Sequence, residues 1–319
     1  MPSYSGIWSL SQQFQAVGQQ LWPGSLDGTF GIFALGNTSG GAVTTRDKYI
    51  YSSCVVSTGG AATVASYAGA AAGNSTVGIF ALGLAPSSSS TTRNKYTYSG
   101  DVVSAGTASS SPSSDGSAAG NSTVGIFALS NNTCISTVAA TRQKYTYSGD
   151  VSGTATAASV ASQRGSAAGN STVGIFALGV TPSTRSSTRD KYTYSGDTVA
   201  AGGSASVASQ YGSAAGNSTV GIFALGSTLC FPGGVTTRDK YTYAGDVVSA
   251  GGAATVASIQ GSAAGSSTVG IFALGGPGSP TVTRNRYTYV GCVVIAGGAA
   301  TVASRQGSAA SNGINGITL

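Results

Sequence analysis

Short apolar runs bounded by glycine recur along the chain and predict β-strands. The run Gly-Ile-Phe-Ala-Leu is continuously apolar, which is typical of a strand covered on both faces. It begins at six places spaced 47 or 49 residues apart: Gly31, Gly78, Gly125, Gly174, Gly221 and Gly270. A degenerate copy spans 316–319. No helical period appears inside any unit, so the repeat predicts an all-β fold.

Other segments recur in step with this run and complete each unit. An alternating Tyr-Thr-Tyr strand follows it, as at 96–98, and a Ser-Gly turn then leads into a hairpin partner, as at 101–106. A segment close to Ala-Thr-Val-Ala-Ser, as at 62–66, is assigned as the opening strand. The Asn-Ser-Thr copies match a glycosylation sequon but are equally well explained as turns.

Four strands in each of six units predict a six-bladed β-propeller, with a β-solenoid as the rival. The chain ends favour a closed ring. The first unit begins at Gly31 without an opening strand, and residues 300–310 supply an opening strand with no blade after it. Pairing the two ends removes two exposed strand edges. The propeller domain is therefore assigned to residues 31–319.

The stretch at 165–179, Gly-Ser-Ala-Ala-Gly-Asn-Ser-Thr-Val-Gly-Ile-Phe-Ala-Leu-Gly, resembles the kelch repeat in layout. In that repeat a first strand runs through a turn into an apolar second strand that ends in glycine. Gly275 and Gly276 supply the kelch double glycine once, whereas most units lack this pair and the kelch tryptophan. The resemblance implies a kelch-like propeller and no particular activity.

Residues 1–30 differ from the repeats and are assigned as a docking or oligomerisation segment. Leu10, Phe14, Val17 and Leu21 form an amphipathic pattern with a glutamine-rich outer face. A cap that packs on the propeller is the alternative. The candidate docking residues are the large apolar residues and the proline of this segment: Ile7, Trp8, Phe14, Leu21, Trp22 and Pro23.

The Gly-Ile-Trp motif, the Gln-rich stretch and the closing Trp-Pro resemble a short element of many tailed-bacteriophage structural proteins, including those of cyanophages. The repeated elements are similar to those of phage tail or fibre components. The resemblance implies a virion protein whose partners are other virion proteins or copies of itself. Residues 1–27 lack an export-signal pattern and no run is long enough to insert into a membrane. This favours assembly in the host cytoplasm over the alternative, a microbial extracellular adhesin or filament-forming surface protein.

Charged residues make up only 8% of the chain and are themselves periodic. Basic residues precede each Tyr strand in pairs such as Arg46 and Lys48, and aspartates recur beside them and after the hairpin turn. We interpret these charges as protection of strand edges and as inter-strand or inter-blade Arg–Asp pairs. A basic ring that attracts an anionic glycan is the alternative. Nucleic acid is not an expected partner because acids separate the positive charges.

The residue inventory predicts a protein that is not an enzyme and has no cofactor or metal. The chain has no His and no Glu, so a serine nucleophile has no evident base. A glycosidase built on two aspartates is the remaining alternative. The four cysteines lack metal-site spacing and are expected to be free thiols. Cys54 and Cys292, on the first and last units, are the one pair to test for a disulfide.

The segment between the second and third strands differs in every unit: 37–43, 84–90, 131–140, 180–187, 227–235 and 276–282. These loops emerge on one face of a propeller, which is a layout for binding, with neutral drift in solvent as the alternative. Phe231, Pro232 and Arg185 are the candidate contacts on that face. Tyr67 and Tyr211 are further candidates, expected on the opposite face. The sequence thus predicts a virion tail or fibre component that attaches to a host-surface glycan.

Overall fold

The computed structural model describes residues 29–85, 88–130, 138–228, 233–276 and 278–313 of the 319-residue chain. Within these ranges the backbone forms six four-stranded antiparallel sheets and a small ribbon of Asn37–Thr38 and Gly41–Ala42. The helical elements of the same ranges are two 3-10 turns, Ser99–Asp101 and Ala244–Asp246. The predicted all-β class is confirmed.

Blades 2 to 6 follow one another along the chain, and each runs in sequence order from its inner to its outer strand. Blade 2 comprises Ala70–Gly73, Val77–Ala81, Arg93–Thr97 and Val102–Gly106, and blade 3 comprises Ser117–Gly120, Val124–Ala128, Arg142–Thr146 and Val151–Ala155. Blade 4 comprises Ser166–Gly169, Val173–Ala177, Arg189–Thr193 and Thr198–Ala201. Blade 5 comprises Ser213–Gly216, Val220–Ala224, Arg238–Thr242 and Val247–Ala250, and blade 6 comprises Ser262–Gly265, Val269–Ala273, Arg284–Thr288 and Val293–Ala296.

Blade 1 joins the two ends of the chain. Its second, third and outer strands are Phe30–Ala34, Arg46–Ile50 and Val56–Thr58, and its inner strand is the C-terminal Ser308–Ser311. The inner strands of neighbouring blades contact one another all round the ring, including the contacts of Ser308–Ser311 with blades 2 and 6. The six-bladed, closed propeller is therefore confirmed, and the solenoid is excluded.

The Asn-Ser-Thr segments form the turns between inner and second strands. Asn74 Oδ1 accepts hydrogen bonds from the backbone N–H groups of Thr76 and Val77, each at 2.9 Å. Its Nδ2 donates to the carbonyl oxygen of Ser122 in the next blade at 2.9 Å. The interpretation of these segments as turns is confirmed, since the amide both shapes the turn and bridges two blades.

The assignment of Ala-Thr-Val-Ala-Ser as the opening strand is wrong. Residues 62–66 connect the outer strand of one blade to the inner strand of the next, and the inner strand is Ala70–Gly73. The connection is fixed by side-chain bonding, because the Thr63 N–H donates to Asn94 Oδ1 of blade 2 at 3.1 Å. The inner strand consists of small residues because it packs closely on the second strand of the next blade. Ala310, in the inner strand of blade 1, faces Gly78 in the second strand of blade 2, where an added Cβ would lie 3.0 Å from the Ala310 Cβ.

The hydrophobic core lies between the blades. The apolar cluster between blades 2 and 3, for example, combines Val77 and Ile79 with Phe127, Leu129 and Tyr145. Within each Gly-Ile-Phe-Ala-Leu copy, the Ile packs toward the next blade and the Phe toward the preceding one. The run is therefore covered on both faces, as its continuous apolar character predicts.

Each blade inserts one buried arginine into the interface with the next blade. Arg46 is fully buried, and its guanidinium carbon lies 4.5 Å from the centroid of the Phe80 ring. The same cation–π contact recurs at all six interfaces at 4.5–4.8 Å: Arg46–Phe80, Arg93–Phe127, Arg142–Phe176, Arg189–Phe223, Arg238–Phe272 and Arg284–Phe33. These arginines form the inter-blade core and do not protect strand edges, which corrects that part of the interpretation.

The same guanidinium donates a hydrogen bond to a polar side chain of the next blade. Three interfaces have an aspartate partner at 2.8 Å: Arg142–Asp190, Arg189–Asp239 and Arg284–Asp47. The other three have a neutral amide partner: Arg46–Asn94, Arg93–Gln143 and Arg238–Asn285. The predicted inter-blade Arg–Asp pairs thus occur at half of the interfaces. Because all six arginines are buried, they cannot form the basic, glycan-attracting ring.

The amide-partnered arginines carry a charge with no anion beside it. Burial lowers the pKa of Arg46, Arg93 and Arg238 to about 10. The desolvated charge is stabilised by the ring faces beneath it and by carbonyl oxygens such as that of Gly60, 3.4 Å from Arg46. These three interfaces are therefore expected to be less stable than those with aspartate.

We predict that Asn94→Asp raises the free energy of unfolding by about 1 to 2 kcal/mol, because a carboxylate would pair with the buried guanidinium of Arg46. The Thr63 hydroxyl, which now accepts from Asn94 Nδ2 at 2.8 Å, would turn to donate, as the Ser159 hydroxyl does to Asp190. Chemical denaturation at neutral pH measures the change. The matched variant Asp190→Asn should lower the free energy of unfolding. A change of the same sign in both variants would contradict the argument.

Candidate functional site

A ring of six residues surrounds the propeller axis, one directly before the glycine that leads into each inner strand. All six have positive φ, between 54° and 59°: Ala68, Asp115, Arg164, Tyr211, Gln260 and Gln306. The N–H of each donates to the carbonyl oxygen of the ring residue in the preceding blade, at 2.7–3.0 Å. These six bonds form a closed circle, which we call the axial ring. The circle links every blade to its neighbours at the axis.

The left-handed backbone of the axial ring is costly for residues other than glycine. A second set of left-handed residues lies in the turns before the outer strands, where the side chains share a structural role. Asp101 Oδ1, for example, accepts from the Tyr96 hydroxyl at 2.7 Å, and its carboxylate pairs with Lys48 of blade 1 at 3.2 Å. The axial-ring side chains share no such role, since only Gln260 and Gln306 are the same type of residue. Five of the six positions carry a polar or aromatic side chain, which makes the axial ring the candidate functional site.

The axial-ring side chains line an open depression of about 350 Å³, a volume that includes the solvent at its mouth. Asp115 and Arg164 form an ion pair with 3.5 Å between Oδ2 and Nε. The Arg164 guanidinium carbon lies 4.8 Å from the centroid of the Tyr211 ring. Gln260, at the next ring position, lines the same depression. Four consecutive ring positions therefore form one connected polar and aromatic surface.

Burial controls the electrostatics of this surface. It raises the pKa of the Asp115 carboxyl, an effect that Arg164 opposes. It also raises the pKa of Tyr211, to which Asp115 adds, while Arg164 and Gln260 act in the opposite direction. Gln260 is only 9% exposed, and its Oε1 has no hydrogen-bond partner among the described residues. A buried acceptor of this kind is stabilised when a ligand donates a hydrogen bond to it.

The expectation that Tyr67 and Tyr211 lie opposite the variable loops is wrong. The start of an inner strand pairs with the end of the second strand, as Ala70 does with Ala81. Residues before the inner strand therefore lie on the face that carries the second-to-third-strand loops, which we call the loop face. Tyr67 pairs through its backbone with Leu84 at the root of such a loop, and Tyr211 belongs to the axial ring.

Arg185 lies in the variable loop of blade 4, and its backbone pairs with Val180. Val180 also pairs with Gln163, the residue before Arg164, so this loop is anchored beside the axial ring. Phe231 and Pro232 lie outside the described residues. The docking candidates Ile7, Trp8, Phe14, Leu21, Trp22 and Pro23 lie outside them as well, and the boundary near residue 30 stays a prediction.

Sequence reasoning missed Asp115, Arg164, Gln260 and Gln306. Each directly precedes the glycine that leads into an inner strand, and this position and the one before it vary between a serine and a glycine that repeat in all six units. Variation at two positions inside a repeated frame was the available signal.

The cysteines contribute no described bond to the site. Cys54 and Cys292 are free, and each occupies the left-handed turn position that aspartate has in other blades. Cys134 and Cys230 lie outside the described residues. In the described part of the chain, no three His, Cys, Asp or Glu residues cluster as metal ligands would, and no helix is long and apolar enough to cross a membrane.

Comparison with known proteins supports the fold. No family model matches the sequence, and no curated protein matches it. The solved structure of YjhT matches with a TM-score of 0.62 and 10% sequence identity, over 78% of this chain and 88% of the YjhT chain. The likeness at this identity is one of fold.

The comparison also contradicts the prediction that the chain is not an enzyme. The propeller fold that it shares with YjhT is a scaffold that enzymes use, so the poor inventory of catalytic residues does not exclude catalysis. At 10% identity the likeness assigns no reaction to this chain.

We predict that Ala68→Gly raises the free energy of unfolding by up to about 1 kcal/mol, because glycine adopts the left-handed conformation without strain. The matched variant is Ala71→Gly, three residues later in the inner strand, where glycine should destabilise by about 0.5 to 1 kcal/mol. Urea denaturation of both variants measures the difference. Destabilisation by Ala68→Gly as large as that by Ala71→Gly would contradict the strain at the axial ring.

Proposed function

We propose that this propeller is an attachment module that binds a carbohydrate in the axial depression of its loop face. The observation that carries the proposal is the axial ring itself, in which Asp115, Arg164, Tyr211, Gln260 and Gln306 converge on one depression. A repeated scaffold needs no such diversity for its stability. The diversity is therefore attributed to recognition of a ligand.

The side chains of the ring match the chemistry of a sugar. Sugar hydroxyls both donate and accept hydrogen bonds: Asp115 and the free Oε1 of Gln260 accept, and Arg164 donates. The Tyr211 ring supplies an aromatic surface for the C–H groups of a pyranose. The Arg164 charge is balanced by Asp115, which favours a neutral saccharide over a strongly anionic one.

The surroundings of the depression support the same proposal. The variable loops of all blades arise on this face, and those of blades 2 and 4 are anchored by backbone pairing, as Leu84 with Ser89 and Val180 with Arg185. Rigid blades with diverse loops allow one scaffold to recognise different ligands. Arg185 and, in the loop of blade 5, Phe231 and Pro232 stay candidate contacts for the outer part of a glycan.

The biological setting is proposed from the sequence. The resemblance of residues 1–30 and of the repeats to phage structural proteins supports a tail or fibre component that attaches to a host-surface glycan. A microbial extracellular adhesin is the alternative, and the same axial site would serve it. The kelch-like layout of the repeats supports the propeller in either setting.

Binding to a printed array of bacterial surface oligosaccharides tests the proposal. We predict that Tyr211→Ala and Gln260→Ala each weaken binding of the best-bound glycan at least about tenfold, the equivalent of about 1.4 kcal/mol. The control is Ser148→Ala, in a turn on the opposite face. Chromatography of the best-bound glycan after incubation with the protein shows whether the protein cleaves it and releases sugar. Retained affinity in both ring variants, or equal loss in the control, would contradict an axial site.

A further inference from the structure

The turn before each outer strand carries an aspartate in four blades and a cysteine in two. The residue has a left-handed backbone in all six blades, with φ between 49° and 57°: Cys54, Asp101, Asp150, Asp197, Asp246 and Cys292. The repeats therefore serve as internal controls, because the backbone is the same and only the side chain changes. The aspartate copies show which chemical group this position accommodates.

The aspartate copies place a carboxylate between two donors. In blade 2, Asp101 Oδ1 accepts a hydrogen bond from the Tyr96 hydroxyl at 2.7 Å, and the carboxylate pairs with Lys48 of blade 1 at 3.2 Å. Blade 5 repeats both contacts, at 2.7 Å and 2.9 Å: Asp246 with Tyr241 and with Lys191 of blade 4. The carboxylate site thus consists of a tyrosine from its own blade and a cation from the preceding blade.

The equivalent tyrosine and cation accompany Cys54 in blade 1. Tyr49 is fully buried, and its hydroxyl oxygen accepts a hydrogen bond from the Gly298 N–H at 3.3 Å. The cation is Arg286 of blade 6, which has the strand position that Lys48 has in blade 1. Burial raises the pKa of Tyr49 to about 12, and the charge of Arg286 opposes this rise. The guanidinium therefore lies near the tyrosine hydroxyl.

Two donors at this site lack the acceptor that the aspartate copies provide. Arg286 Nε is buried and has no hydrogen-bond partner among the described residues. The Tyr49 hydroxyl has the Cys54 sulfur in place of a carboxylate oxygen, and a thiol sulfur is a weak acceptor. Buried donors without a good acceptor cost free energy, so the site favours an anion with two oxygens at this position. Of the two cysteine copies, Cys54 is the one opposite an arginine, since Lys240 has the equivalent position for Cys292.

We propose that Cys54 is a site of oxidation by hydrogen peroxide and that its sulfinic acid takes the place of the aspartate carboxylate. The sulfur of cysteine is bonded to Cβ, as Cγ is in aspartate. The two oxygens of a sulfinate therefore occupy the positions of Oδ1 and Oδ2, and the group carries the same negative charge. One oxygen accepts from Tyr49 of blade 1 and the other from Arg286 of blade 6. Oxidation then strengthens the junction of these two blades, independently of carbohydrate binding.

Each oxidation step consumes one molecule of peroxide. The Cys54 sulfur attacks one peroxide oxygen with an electron pair, so that an S–O bond forms and the O–O bond breaks. The other oxygen leaves as water with the thiol proton, and the product is the sulfenic acid. A second peroxide oxidises the sulfur in the same way to the sulfinic acid, which loses its proton to solvent. Cys54 is partly exposed, so peroxide can reach it.

Treatment of the full-length chain with hydrogen peroxide tests the proposal. Trypsin releases residues 49–93 as one peptide, in which Cys54 is the one cysteine. Mass spectrometry should show that this peptide gains two oxygen atoms, and the midpoint of thermal unfolding, Tm, should rise by about 2 °C. The variant Cys54→Asp should raise Tm by a similar amount without peroxide, because its carboxylate reproduces the aspartate site. The variant Cys54→Ser should lose the rise in Tm.

The variant Arg286→Gln should slow the oxidation of Cys54 several-fold, because it removes the charge that stabilises the developing anion. The matched control is Lys95→Gln, the equivalent change in blade 2, which should leave the rate unchanged. Three results would overturn the proposal: an unmodified Cys54 at a peroxide concentration that oxidises glutathione in the same solution, a fall in Tm on oxidation, or equal rates in Arg286→Gln and the wild type. A disulfide between Cys54 and Cys292 in the unreduced digest would overturn it as well.

Discussion

Six buried guanidinium groups hold the blades of this propeller together, and the rest of the structure depends on them. Each lies over the ring of a phenylalanine of the next blade and donates to a polar side chain there. A planar cation suits this position because it satisfies a ring face and an acceptor at the same time. No blade supplies both halves of the contact. A single blade would therefore expose an uncompensated charge and half of an apolar core, so the ring is expected to fold as a unit.

The same interface explains why most of the sequence repeats and where it is free to differ. Four parts of each unit contact a neighbouring blade: the Phe, the Arg, the small inner strand and the Asn turn. A substitution in one copy therefore changes the packing of two blades. The axial ring differs in this respect: its inter-blade bond runs between backbone N–H and C=O groups. The bond therefore survives any side chain that tolerates a left-handed backbone. This is how Asp115, Arg164 and Tyr211 can occupy equivalent positions without disturbing the ring.

Much of the fold follows from the sequence, because its strongest signals are local and periodic. The glycine-bounded run Val77–Ala81, the Tyr-Thr-Tyr strand and the closure between the chain ends could all be predicted. The inner strand could not, because Ala70–Gly73 has little β-propensity and owes its conformation to close packing at the axis. That one error also placed Tyr67 and Tyr211 on the wrong face. The burial of Arg46 could not be predicted either, since the side-chain acceptor that stabilises its charge, Asn94, belongs to another repeat.

Hydrogen exchange tests the central claim, that the buried arginines make the six blades one cooperative unit. The measurement follows native-state exchange by mass spectrometry in peptides from every blade, for the wild-type chain and Arg142→Met. If the ring is one unit, protection of the inner and second strands falls by a similar factor in all six blades. Loss of protection confined to blades 3 and 4, which Arg142 joins, with the other four unchanged, would contradict the claim.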